Sequence, residues 1–296
     1  MLIMSNKEET LLLNDTELDR LADIASKTVD AAGEIILKHY LARGNVYNVS
    51  NANVLSWTSV AAEAEKAMIS LILNNLPSHT VYGKQTGWNN CSGPTIPEFV
   101  WVLDPVNGVT DGLLPTFGTS IAVVHNGKSV IGCINNPVAQ IKTIGRRGKT
   151  TRNGVVVRTR ACEHLEQAYT DINDPDYNED AKYAYNRLAY KVGETFFNGN
   201  CIAYSELAAG MLQVIVDSAV EPYGLLRLVP IVEGAGGIIT DWQGNQLSWQ
   251  PSPASSVPRD GFKVVASADL TTHQQIIFYS RFGLSPFSSL VFLIMK

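Results

Sequence analysis

Apolar residues recur at Leu18, Leu21, Ala22, Ile24, Ala25, Val29 and Ala32, a spacing that gathers them on one face of an α-helix from Asp15 to about Tyr40. Asp15 or Thr16 can cap its first turn. A second helical pattern, rich in Ala, Glu and Lys, runs from Thr58 to Leu76 and stops at Pro77. Between them, Gly44 to Asn53 is polar and Asn-rich, the composition of a loop or hairpin. The pattern then changes to short apolar runs. Val81-Tyr82 ends a strand at Gly83, and Phe99 to Leu103 reads as a buried strand. Gly118 to Val124 and Ser129 to Ile134 flank His125-Asn-Gly-Lys128, a hairpin turn by composition, since Asn-Gly suits positive φ.

Past Thr150, helical stretches at 162–168, 178–190 and 203–212 alternate with strand-like runs at 213–217, 236–241 and 263–267. Leu225 to Val232 is an apolar helix terminated by Gly234-Ala-Gly-Gly237, followed by a strand at Ile238 to Thr240 and a turn at Asp241 to Asn245. The alternation predicts a layered α/β fold. It divides into an amino-terminal segment at 1–14, an α+β part at 15–150, an α/β part at 151–281 and an apolar tail at 282–296. The boundary falls softly within 145–155.

Composition narrows the function. A net charge of −5 gives no electrostatic reason to expect nucleic acid or an anionic membrane as partner. The uninterrupted apolar part of the tail is too short to span a bilayer. The four cysteines, Cys91, Cys133, Cys162 and Cys201, lie far apart without metal-ligand spacing and read as reduced thiols. The first ten residues carry acids where a targeting peptide would carry bases, which points to the cytoplasm, or to a plastid if a transit peptide is missing.

The most informative stretch is Trp101-Val-Leu-Asp104-Pro-Val-Asn107-Gly108-Val109. A buried strand ends at one carboxylate and several bare N–H groups, where ligands of mixed α/β sheets usually sit. It resembles the Asp-Pro-(Leu/Ile/Val)-Asp-Gly-Thr loop of the inositol monophosphatase family. Pro222-Tyr223, Val229-Pro-Ile-Val-Glu233, Ala235-Gly-Gly237 and Thr240-Asp-Trp242 look most like the histidinol-phosphate phosphatase branch, including its plant-type members. Val81-Tyr-Gly83, Gly87-Trp88, Gly199 to Tyr204 and Phe262 to Ala266 agree, so the resemblance covers roughly residues 15 to 280.

The resemblance implies alternating helix and sheet layers, a homodimer, and Mg²⁺-dependent hydrolysis of a small phosphorylated metabolite. Hard Mg²⁺ ions want several convergent oxygen ligands and activate a bound water. Carried over residue by residue, the metal positions are Asp104, Val106 (through its carbonyl), Lys84, Asn107 and Gly224, with a further one at Ala61. Only Asp104 keeps a carboxylate: Asn107 and Gly224 stand for Asp, Lys84 for Glu and Ala61 for Asp. The catalytic positions are Asp104, Asn107 and Val109, the last replacing a Thr that orients water. Gly108 and Val109 would hold phosphate through their N–H groups, and Asn200 (for an Asp) and Asp217 would contact substrate.

The family presents about four carboxylates to its metals; this chain keeps one and adds a lysine. Gln85, Asp111 or Glu221 would be replacement ligands, though none sits at a ligand position. Lys84 is either a solvated surface lysine or a cation in the vacated metal position paired with Asp104. Three readings stay open: an impaired phosphatase, a metal-free pseudoenzyme that binds phosphate-type anions, and a dimer partner of an active paralogue.

Overall fold

The computed structural model describes residues 13–44, 56–93, 97–108, 117–172, 176, 178–197, 200–255 and 261–281. The Asn-rich stretch at 45–53, Val109, Asp111 and the tail at 282–296 lie outside them. The described residues form two sheets and six helices, in which helical and sheet layers alternate.

Helices α1 (Asp15–Gly44) and α2 (Trp57–Asn75) cover one face of an eight-stranded sheet ordered β2-β1-β3-β4-β5-β6-β7-β8. Its strands are β1 (Thr80–Gly83), β2 (Gly87–Asn89), β3 (Phe99–Asn107), β4 (Gly118–His125), β5 (Lys128–Asn136), β6 (Ile141–Arg146), β7 (Lys149–Arg152) and β8 (Val155–Val157). Only β1 and β3 pair in parallel; the other neighbours are antiparallel. The β4–β5 hairpin turns at Asn126 and Gly127, at φ of 49° and 76°, with His125 paired to Lys128. The pair of positive φ angles is what Asn-Gly supplies at low cost.

Strand alternation decides which residues each layer receives. Trp101, Leu103, Ile121 and Val123 join the core beneath α1 and α2. Their neighbours Val100, Val102, Ala122 and Val124 pack from the other face against Leu226. A second sheet, ordered β10-β9-β11-β13-β12, contains β9 (Thr170–Ile172), β10 (Thr195–Phe196), β11 (Val214–Val220), β12 (Ile238–Asp241) and β13 (Phe262–Ser267). Helices α4 (Cys201–Ala208) and α5 (Pro222–Gly234) lie in the core between the sheets with Ile215, Val264 and Ala266. Val214, Val216 and Val265 instead face α3 (Glu179–Leu188) and α6 (Leu270–Arg281) on the outside.

The sequence overestimates two helices. At 162–168 only a 3-10 turn, Leu165–Gln167, forms. At 203–212 the helix is α4, ending at Ala208, and Gly210 at φ 76° turns the chain toward β11. Both stretches are too short to sustain a helix beyond what tertiary packing covers. The first sheet also continues through β7 and β8 as far as Val157.

Two glycines set how closely α5 approaches the first sheet. A Cβ at Gly132 would strike the Arg227 carbonyl, and one at Gly145 would strike the Ile231 backbone. Without side chains there, α5 lies with its backbone directly against β5 and β6.

His273 on α6 makes the stability pH-dependent. It is 4 % exposed, lies 2.9 Å from Thr240 Oγ1 and 3.1 Å from Ser267 Oγ, and burial lowers its pKa to about 4. The folded protein therefore keeps the ring neutral, whereas the unfolded chain takes up a proton near pH 6.5. This contribution is complete above about pH 6.5 and is lost as pH falls toward 4, by up to about 3 kcal/mol. Urea unfolding at about pH 7 and about pH 5 should show the loss, and His273→Gln should flatten it.

Candidate active site

At the carboxyl end of β3, Asp104 is only 2 % exposed. The register of β3 against β4 shifts between Asp104 and Asn107, and Thr119 Oγ1 donates to the Pro105 carbonyl at 2.9 Å. The irregularity turns consecutive side chains away from strict alternation. Val106 packs toward the first core, while Asn107 turns into a cleft. That cleft, of about 220 Å³, is lined by Lys84, Asn107, Asn200, Tyr204, Asp217, Glu221, Gly224 and Arg227 among others.

Most of the residues carried over from the resemblance thus come together. Lys84, Asn107, Gly224, Asn200 and Asp217 face one cavity, with Asp104 beneath it. Gly108, at φ 83°, lies against Asn200: a Cβ on it would sit 3.1 Å from Asn200 Cβ. Ala61 is 4 % exposed and buried in α2. Val106 does not line the cleft. A larger cavity, about 420 Å³ and mostly apolar, lies elsewhere against Leu13, Leu18, Lys128, Arg146, Pro230 and Glu233, and none of the residues carried over from the resemblance lines it.

The cleft holds its own cations. Lys84 Nζ lies 2.8 Å from Glu221 Oε2 and 3.7 Å from Asp104 Oδ1. Its side chain is 29 % exposed, so it is not a solvated surface lysine. Burial opposes its charge, but Asp104 and the Glu221 hydrogen bond outweigh that and raise its pKa. A second cation arrives from α5, where Arg227 Nη1 lies 3.3 Å from Asp104 Oδ2 and both side chains are almost wholly buried. Asn107 Nδ2 donates to the same Oδ2 at 3.0 Å. An Asp at position 107 has no hydrogen to donate and would face Asp104 with like charge. Among the described residues Asp104 Oδ1 has no hydrogen-bond partner, and the ion pair to Lys84 compensates it.

Supporting contacts fix these groups. Glu65 on α2, fully buried, accepts the Gln85 N–H at 3.0 Å and the Thr86 N–H at 2.8 Å. This clamps the turn after β1 that carries Lys84; charge-assisted bonds of this kind are the stronger class. Asn200 caps α4, its Oδ1 accepting the Ile202 N–H at 2.8 Å. Asn107 Oδ1 accepts the Cys201 N–H at 3.4 Å. Asp217 Oδ1 accepts the Ala219 N–H at 3.1 Å. Burial, reinforced by Asp217 and Asp171, holds the Tyr204 phenol protonated. Burial pushes the Cys201 thiol up to about 11, which removes it as a nucleophile.

The chain matches the inositol monophosphatase family over residues 17–279. It belongs to that family. Among similar proteins, the bifunctional phosphatase IMPL2, chloroplastic, of Arabidopsis thaliana is 39% identical over 270 residues, covering 90% of this chain and 76% of the relative. The histidinol-phosphatase of Chlorobaculum parvum is 24% identical over 228 residues, covering 75% of this chain and 86% of that protein. An inositol monophosphatase from Zymomonas mobilis superposes with a TM-score of 0.74 at 26% identity, covering 91% of this chain and all of that one.

Against this inositol monophosphatase fold, sequence reading missed Arg227 and Glu65. Arg227 is the one charged residue within the apolar run Leu225 to Val232, and that isolation was the available signal. Glu65 sits among the Ala, Glu and Lys of α2 with nothing to distinguish it from a solvated acid. Glu221, set aside as a ligand, is the partner of Lys84. Among the described residues no group of three or more His, Cys, Asp or Glu is arranged to hold a metal ion.

Removing Asp104 should expose how much depends on it. In Asp104→Ala, Arg227 is left as an uncompensated buried charge beside Lys84, which costs about 3–5 kcal/mol. Urea denaturation should register that loss equally with Mg²⁺ or with chelator in the buffer.

Proposed function

We propose that this chain is a family phosphomonoesterase by descent that no longer turns over its substrate through divalent metal, because its own side chains supply the cations of the site. The observation that carries this is the pairing of Asp104 with both Lys84 and Arg227. The family's chemistry uses Mg²⁺ to neutralise phosphate and to lower the pKa of a bound water. The residues present do not fit that ion. Of the carboxylates at the cleft, Asp104 is already paired with Lys84 and Arg227, and Glu221 with Lys84, so an entering ion would have to displace a resident cation from either. Each fixed cation about 4 Å from a divalent ion opposes it by roughly twice the ~4 kcal/mol of a unit pair at the effective dielectric of such a site. Asn107, Gly224 and Ala61 offer no charge in return.

The ligand class remains the family's small phosphorylated metabolite, and the relatives named as phosphatases support that class. A metal-free anion site would use the N–H groups of Gly108 and Val109 with Lys84, flanked by Asn200 and Asp217. Glu221, 2.8 Å from Lys84 Nζ, competes for that lysine. On this second reading, inorganic phosphate binds independently of chelator, and Glu221→Gln strengthens binding while Lys84→Ala abolishes it. A homodimer is part of the proposal through family membership, and an active paralogue as partner is its variant. For the compartment we propose the cytoplasm, with the chloroplast named for the plant relative as the alternative.

The deciding assay compares the purified chain with an active family phosphatase on histidinol phosphate and on inositol monophosphate. Wild type should show no Mg²⁺-stimulated release of phosphate above a chelated control. Turnover within tenfold of the active enzyme would end the proposal.

A further inference from the structure

The ligand losses at Lys84, Asn107 and Gly224 suggest that restoring carboxylates would restore the metal site. The geometry of α5 points elsewhere. We infer that the Arg227 guanidinium is itself a barrier to divalent metal in this cleft, independent of those losses, and that a carboxylate returned to position 224 is captured by Arg227. This inference rests on the proposal that the site works without metal, and it names the residue that keeps metal out.

Arg227 is more deeply set than Lys84. It is 4 % exposed as a residue, and its Nη1 sits 3.3 Å from Asp104 Oδ2, on the one carboxylate that every metal reading of this site needs. A guanidinium does not lose its proton in a protein, so no accessible pH vacates the position. Its backbone is pinned as well. The Arg227 carbonyl occupies the space left by the missing side chain of Gly132, and Ser129 Oγ donates to the neighbouring Leu226 carbonyl. The backbone that carries the guanidinium is therefore held against the sheet, and the group leaves Asp104 only by a change of rotamer that gives up the buried ion pair.

Position 224 lies three residues earlier, on the same face of the helix. A Cβ at Gly224 would sit 3.4 Å from Val220 Cγ1, 3.5 Å from Arg227 Nη2 and 3.7 Å from Arg227 Cζ. An Asp therefore fits sterically, and its carboxylate emerges beside the guanidinium. Arg227 also has a donor to offer, since its buried Nε has no partner among the described residues. Planar pairing of arginine with a carboxylate then outcompetes coordination of a hydrated divalent ion.

The test uses Mn²⁺ as probe, with binding read by calorimetry. The triple variant Lys84→Glu, Asn107→Asp, Gly224→Asp is compared with the same variant carrying Arg227→Ala. Removal of the arginine should tighten Mn²⁺ binding at least tenfold; equal affinity in the two folded proteins would overturn the inference. A metal-free cycle covers the case in which either multiple variant fails to fold. Gly224→Asp and Arg227→Ala, singly and together in the wild-type background, should couple by tenfold or more in the unfolding constant. Additive effects would equally overturn it. Mg²⁺-dependent turnover by wild type defeats the underlying proposal, whereas equal Mn²⁺ affinity with wild type inactive defeats only the role of Arg227.

Discussion

The Asp104 carboxylate is the constraint on which the site depends. It is buried at the end of β3, and an isolated buried carboxylate is costly enough that it must be neutralised or paired. Three elements answer that demand. The turn after β1 brings Lys84, α5 brings Arg227, and Asn107 turns its amide hydrogens inward. Because α5 also packs against the second sheet, pairing Asp104 ties the two halves of the molecule at the floor of the cleft. Lys84, Asn107 and Arg227 are mutually consistent in charge, in the sense that each supplies a donor or a cation to the same carboxylate.

Such a cluster differs physically from a metal centre in one respect. A bound ion exchanges with solvent, and its contribution to stability depends on its concentration. Covalently attached cations are always present, and their desolvation is compensated only while the partners stay together. Loss of one member is then more damaging than replacement of the whole set by apolar groups. The glycines at 132 and 145 are part of this arrangement because they let α5 approach the sheet closely enough for Arg227 to reach Asp104.

Much of the fold was legible because the period of the apolar pattern changes sharply along the chain. The Asn126-Gly127 hairpin, the α1 stripe from Leu18 to Ala32 and the α5–Gly234 junction all follow from local chemistry. The overextended helices at 162–168 and 203–212 mark where short stretches depend on tertiary cover, or on a turn such as that at Gly210, that the apolar pattern does not reveal. The site was legible only through its motifs. These located Asp104, Lys84, Asn107 and Gly224, and they gave Lys84 a choice of two fates between which distance decides. Arg227 and Glu65 were not legible in that way, since the importance of each comes from a partner 123 or 20 residues away.

Central to this account is the replacement of exchangeable metal by resident cations. Its most direct test is the thermal unfolding midpoint of the wild-type chain in chelator and in millimolar Mg²⁺ or Mn²⁺. A metal that binds only the folded state would raise the midpoint as its concentration rises. Superimposable transitions are expected under all three conditions. A midpoint that climbs steadily with Mg²⁺ or Mn²⁺ would contradict that replacement.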